Sequence, residues 1–146
     1  MKSLETWLSE YSFSHKNPIN KKIHYICVPL IMWSILGLFW SIPVGNNLLN
    51  VASVFSLVCL VFYFRLDRLM SCVMALFISF MLFLCFWLQA ESAKLLEVSI
   101  IVFVFSWAGQ FIGHKIEGKK PSFFQDVQFL LIGPLWIVRP IVRKLF

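Results

Sequence analysis

At 146 residues, with 60% hydrophobic and 17% aromatic side chains and a mean hydropathy of +0.81, the chain is too apolar for a soluble domain, which would be nearer half apolar. Cys27, Cys59, Cys72 and Cys85 all fall inside apolar runs with no C-x-x-C pair, which speaks against a disulfide framework or a cysteine zinc site. The net charge of +6 raises the question of nucleic acid, but the basic residues are distributed as a membrane protein's are, so no nucleic-acid partner is expected.

The first 22 residues are polar and carry no apolar h-region, so no removable signal peptide is expected. From Ser3 to about Ser14, Leu4, Trp7, Leu8 and Tyr11 recur at helical spacing with Glu5 and Glu10 between them. This predicts a short amphipathic helix lying in the membrane interface, its tryptophan and tyrosine at headgroup level. Asn17-Pro18 ends it, because the residue before a proline leaves the helical region, and Asn20 is placed to N-cap the first apolar span.

Four apolar runs then reach or approach the ~20 residues that cross a bilayer core. They cover 23–43, 48–64, 69–88 and 95–112. The second and third are almost free of polar chemistry and read as lipid-facing and core packing, although an acyl-chain slot would use the same residues. Arg65, Asp67 and Arg68 form the connection between them, read as a solvated turn. In the fourth run Gly109-x-x-x-Gly113 permits close approach of another helix, which would seat His114 against its neighbours. Gly118 suits the left-handed position after the last turn, and Pro121 stops any continuation. The run 129–138, interrupted by Gly133-Pro134, is too short to span and predicts an interfacial or re-entrant segment.

With four spans, the N-terminus, the 65–68 connection and the C-terminal segment share one side, which holds every lysine and arginine except Lys94. The positive-inside rule then puts both termini in the cytoplasm, at the inner membrane of a bacterium or the endoplasmic reticulum of a eukaryote. The expected fold class is all-α. It is a single domain of 146 residues, an integral membrane four-helix bundle with an N-terminal amphipathic helix and a C-terminal interfacial or re-entrant segment.

His15, His24 and His114, the only histidines, all fall at that cytoplasmic face. They converge if the N-terminal segment folds back over the mouth of the bundle, which a proline-containing connection permits. Each has an ordinary alternative: His15 among headgroups, His24 snorkelling from a first turn, His114 capping a helix C-terminus. Together they point to a metal site, because Gln110, His114 and Glu117 share a helix face and Asn20 lies one turn before His24. The macrodipole disfavours the Glu117 carboxylate at a helix C-terminus unless a cation is close. Neutral imidazole suits iron, zinc or copper; Glu117 adds the carboxylate of an oxygen-activating iron centre, and Fe(II) is preferred to zinc.

Tyr11-x-x-x-His15-x-Asn17-Pro18-x-Asn20-x-x-x-His24, followed by Pro29, resembles the N-terminal signature of the fungal endoplasmic-reticulum 2-hydroxy fatty acid dioxygenase family. Gln110-x-x-Gly113-His114-x-x-Glu117-x-x-x-Pro121 resembles its second signature. The resemblance runs the length of the chain, which looks most like the short bacterial-type members. It implies Fe(II)-dependent α-oxidation, as in the metabolism of phytosphingosine to odd-numbered fatty acids. O2 attacks at the hydroxylated carbon, CO2 leaves, and a fatty acid one carbon shorter results. The resemblance also implies that His15, His24 and His114 carry the iron, with Glu117 a fourth ligand or an orienting neighbour. Tyr11, Asn20 and Gln110 would hydrogen-bond around the ligands. The implied partners are a long-chain 2-hydroxy fatty acid, O2 and membrane lipid. Two rival readings are a non-catalytic membrane lipid-binding or assembly protein and a zinc-dependent lipid hydrolase. A transporter fits least, since the polar residues gather at one face and not at the midplane.

Overall fold

The computed structural model describes residues 2–42, 44, 49–92, 94–120 and 128–145, the side chains of the last two excepted. These residues form six α-helices and no strand: α1 Leu4–Phe13, α2 Pro18–Trp40, α3 Val51–Leu66, α4 Arg68–Ser92, α5 Leu95–Glu117 and α6 Phe129–Leu145. Local chemistry sets their ends. Ser3 Oγ accepts the Thr6 N–H at 3.2 Å to start α1. Asn17 Oδ1 accepts the N–H groups of Ile19 at 2.8 Å and Asn20 at 3.4 Å. Pro18, which has no N–H to leave unpaired, takes the first position of α2. Asn17 and not Asn20 therefore caps this helix, because proline pre-sets the helical φ before the apolar run begins. Asn50 and Ser53 form a reciprocal capping box on α3. Asp67 closes α3 and accepts the Met70 N–H at 2.8 Å to open α4. At the end of α5, Lys119 N–H bonds to His114 C=O and Gly118 N–H to Lys115 C=O, both at 3.2 Å. Gly118 sits at φ +74°, the left-handed glycine of a Schellman turn. The expected stop at Pro121 lies outside the described residues, as do Pro43 and Leu48 at the expected span edges.

Three helices, α2, α4 and α5, with 23, 25 and 23 residues, are long and apolar enough to cross a membrane by length and composition. The apolar α3 has 16 residues. At ~1.5 Å per residue it is about 24 Å long, short of a ~30 Å hydrocarbon core. Leu57, Phe64, Leu76, Phe83 and Phe105 are more than half exposed, an outward surface suited to acyl chains and not to water.

The chain divides into two compact units, Met1–Pro29 with Phe105–Phe146, and Leu30–Val104. In the second, Leu36, Ala52, Met81, Cys85 and Leu95 form the core, and Gly37 has no room for a Cβ beside Ser99 Oγ. In the first, α1 lies on α6. Trp7 meets Phe129 edge-on at 5.2 Å, Tyr11 meets Trp136 at 5.5 Å, and Arg139 donates to Glu5 at 2.8 Å. Trp7 and Tyr11 are thereby only 3% and 5% exposed, so the stripe expected at headgroup level is covered by protein instead. An amphipathic stripe fits either partner, and α6 supplies the protein one. It runs unbroken through Gly133-Pro134, where the proline forfeits one N–H bond and Gly133 lets the helix close to 3.0 Å, measured to where a Cβ would stand, on the Tyr11 hydroxyl.

Candidate metal centre

The site is built where α1 ends, α2 begins and α5 ends. His15 follows Ser14, the C-cap of α1, and its Nδ1 lies 2.6 Å from the Tyr11 carbonyl. His24, in the second turn of α2, places Nδ1 3.0 Å from the Asn20 carbonyl. A carbonyl only accepts, so both rings carry their proton on Nδ1 and turn a bare Nε2 lone pair outward. Those two Nε2 atoms face each other at 2.9 Å. A proton could bridge them only if one ring were an imidazolium, and burial pushes the His15 pKa below its ordinary value. A metal cation meets both lone pairs without that requirement. The third imidazole, His114, stands with its ring centre 5.1 Å from that of His15 and 4.9 Å from that of His24. Its Nδ1 is buried and has no hydrogen-bond partner among the described residues. One nitrogen from each ring lies within 4.8 Å of the others, and the three side chains are 1%, 1% and 4% exposed. This donor set fits a first-row metal ion with histidine ligands.

Close helix approach makes the convergence possible. A Cβ on Gly109 would stand 2.7 Å from Cys27 Sγ, and one on Gly113 would overlap Asn20 Oδ1. The small-residue spacing in α5 therefore does what the sequence implied, bringing α2 against the face that carries His114.

Glu117 stands beside the histidine cluster. Its carboxylate accepts the backbone N–H of Lys16 at 2.9 Å, that of Asn17 at 2.8 Å and Asn20 Nδ2 at 3.1 Å. The positive end of α2 thus supplies the counterbalance that its position at the end of α5 requires. Tyr11 uses its carbonyl on His15 and stacks its ring on the imidazole, centroids 4.2 Å apart and planes 13° from parallel. Burial raises the Tyr11 pKa, so the phenol stays neutral. Gln110, 5% exposed, leaves Nε2 without a partner among the described residues.

Sequence reasoning missed Trp136. Its ring centre lies 5.5 Å from that of His15 and its indole N–H donates to Ser12 Oγ at 2.8 Å. The usable signal was Phe129, Ile132 and Trp136 at i, i+3 and i+7, one helical face spanning the Gly-Pro pair. Lys119 was also missed: its ammonium donates to the Phe13 carbonyl at 2.8 Å, closing off the end of α1.

These features define an all-helical protein with membrane-length helices and a buried three-histidine centre where helix ends meet. Residues 1–145 match the family described as 2-hydroxy-palmitic acid dioxygenase Mpo1-like, and the chain belongs to that family. It is 26% identical over 147 residues to the 2-hydroxy-palmitic acid dioxygenase MPO1 of Saccharomyces cerevisiae, an alignment covering 97% of this chain and 81% of that protein. No solved structure matches it.

Proposed function

We propose that this protein is an Fe(II)-dependent membrane dioxygenase that converts a long-chain 2-hydroxy fatty acid to the acid one carbon shorter. The observation that carries this reading is the facing pair of Nε2 atoms of His15 and His24 at 2.9 Å, with His114 alongside. The name of the yeast relative supplies the substrate class. The reaction balances without a second reductant. R–CH(OH)–COOH and O2 give R–COOH, CO2 and H2O, and the four electrons taken up by O2 all come from the two carbons that end as carboxyl and CO2.

His15, His24 and His114 would hold the iron, which when bound supplies O2 activation and a Lewis-acid anchor for the substrate's oxygens. The chain's own residues do the rest. The carbonyls of Tyr11 and Asn20 hold two imidazoles in the ligating tautomer. Glu117 positions the Lys16–Asn17 backbone next to His15. Burial of all three rings keeps bulk water off the site. Lys16, Lys21, Lys22 and Lys115 attract the carboxylate headgroup, while the tail stays among the apolar helices. In this reading α3 is a fourth crossing and both termini are cytoplasmic.

The test is anaerobic loading with Fe(II), then exposure to O2 with 2-hydroxypalmitate or palmitate. The expected result is uptake of O2 and appearance of the acid one carbon shorter from the hydroxylated substrate alone. Equal turnover of both acids, or turnover without O2, removes the dioxygenase reading.

A further inference from the structure

Three buried polar atoms without a partner among the described residues belong to a histidine of the cluster or to a residue one turn before one: His114 Nδ1, Asn20 Oδ1 and Gln110 Nε2. A metal held by the three histidines would account for the first, and leaves the other two without a partner. Asn20 is fully buried and its amide orientation is fixed, since Nδ2 donates to Glu117 Oε2 at 3.1 Å. The oxygen must then point the other way, and it lies where a side chain on Gly113 would be. Gly113 follows Gln110 by three residues and precedes His114 directly, so Oδ1 packs against the turn of α5 that joins them. Gln110 lies one turn before His114 on the same face, and its orphan atom is a donor. An orphan acceptor one turn before His24 and an orphan donor one turn before His114 therefore sit on the two helices that carry these histidines, without satisfying each other. Leaving such groups unpaired in a buried site is costly unless a ligand completes them.

We propose that Asn20 and Gln110 form the headgroup subsite for the 2-hydroxy acid: Asn20 Oδ1 accepts the 2-hydroxyl proton and Gln110 Nε2 donates to the carboxylate. A 2-hydroxy acid carries its donor and acceptor on adjacent carbons, which matches one acceptor and one donor beside one metal centre. An unhydroxylated acid satisfies Gln110 but strands Asn20, and a site built to bond a hydroxyl rejects the analogue that lacks it. Asn20 thus sets selectivity and Gln110 sets general affinity. This assignment rests on the dioxygenase reading of the site.

The test measures Kd for 2-hydroxypalmitate and palmitate by calorimetry on anaerobic Fe(II)-loaded protein, with iron content and Tm recorded for each variant. Wild type should prefer the hydroxylated acid by at least about tenfold, the scale of one well-made hydrogen bond. Asn20→Leu should bring that ratio close to one by weakening only the hydroxylated acid. Gln110→Met should weaken both acids by a similar factor and leave the ratio intact. An Asn20→Leu protein that keeps its iron and the wild-type ratio overturns the assignment. So do variants that lower Tm while leaving both affinities unchanged, the result expected if a buried water bridges the two amides. Should Asn20→Leu fail to hold iron, Gln110→Met decides, and unchanged affinity for both acids overturns the assignment. If wild type shows no preference, the substrate reading itself fails and the subsite goes with it.

Discussion

An imidazole gives a metal one nitrogen and needs something to hold the other. For His15 that something is the Tyr11 carbonyl at the open end of α1, a group that a helix C-terminus leaves partly unpaired. The His15 backbone is tied to α1 on one side, through its N–H to the Ser12 carbonyl, and on the other by Lys16 and Asn17, which Glu117 holds. Glu117 should therefore matter to the metal without touching it. Glu117→Ala is expected to weaken iron binding by about 10- to 100-fold, the range seen for outer-shell partners, measured by chelator competition. His15→Ala should abolish stoichiometric iron outright while the protein still inserts and purifies. If Glu117→Ala left iron affinity unchanged, the carboxylate would have no part in placing His15. If it removed iron as fully as His15→Ala does, Glu117 would be a ligand and not a positioning residue.

At the scale of elements, α2 and α5 are locked by two glycines of unequal tolerance. The Cβ of Gly113→Ala would fall on Asn20 Oδ1, which Glu117 pins, so the helices must part. The Cβ of Gly109→Ala would meet Cys27 Sγ at 2.7 Å, a side-chain atom that can turn aside. Gly118 has nothing within 4 Å of its would-be Cβ, so Gly118→Ala should cost only the left-handed backbone penalty, about 1 kcal/mol. Iron stoichiometry should accordingly fall most for Gly113→Ala, less for Gly109→Ala and hardly at all for Gly118→Ala. Equal iron in all three would mean that helix approach does not set the His24–His114 distance. Much of this was legible in the chain itself. The Gly109-x-x-x-Gly113 spacing, the Gly118 cap and the common end of the three histidines are local patterns with one physical outcome. The α1–α6 contact and the place of Trp136 were not legible, because an apolar stripe does not specify whether lipid or another helix covers it. The Asn17 cap was missed because hydropathy marks where a helix turns apolar, not where it starts.

For the whole molecule, the histidine cluster constrains topology in a way hydropathy cannot. His24 lies in the second turn of α2 and His114 in the last turn of α5, and their ligand nitrogens lie within 4.8 Å. The start of α2 and the end of α5 must then be on the same side of the membrane, which requires an even number of crossings from α2 through α5. The three helices long enough to cross make an odd number, so α3 should be the fourth crossing despite its 16 residues. A helix about 24 Å long can do this by local bilayer thinning, at a modest cost per ångström of mismatch. The distribution of lysine and arginine agrees, since only Lys94 falls on the far side. Single cysteines placed at Lys2, Arg65, Glu91 and Lys120 in a background free of native cysteine would report the arrangement through a membrane-impermeant maleimide. Glu91 alone should react from the side away from the cytoplasm, and the other three only from the cytoplasmic side. If Arg65 labelled from the same side as Glu91, with Lys2 and Lys120 protected, α3 and α4 would both fail to cross and the bundle would have two spans. If Lys2 and Lys120 labelled from opposite sides, the three histidines could not share a metal, and the iron centre would fall with the topology.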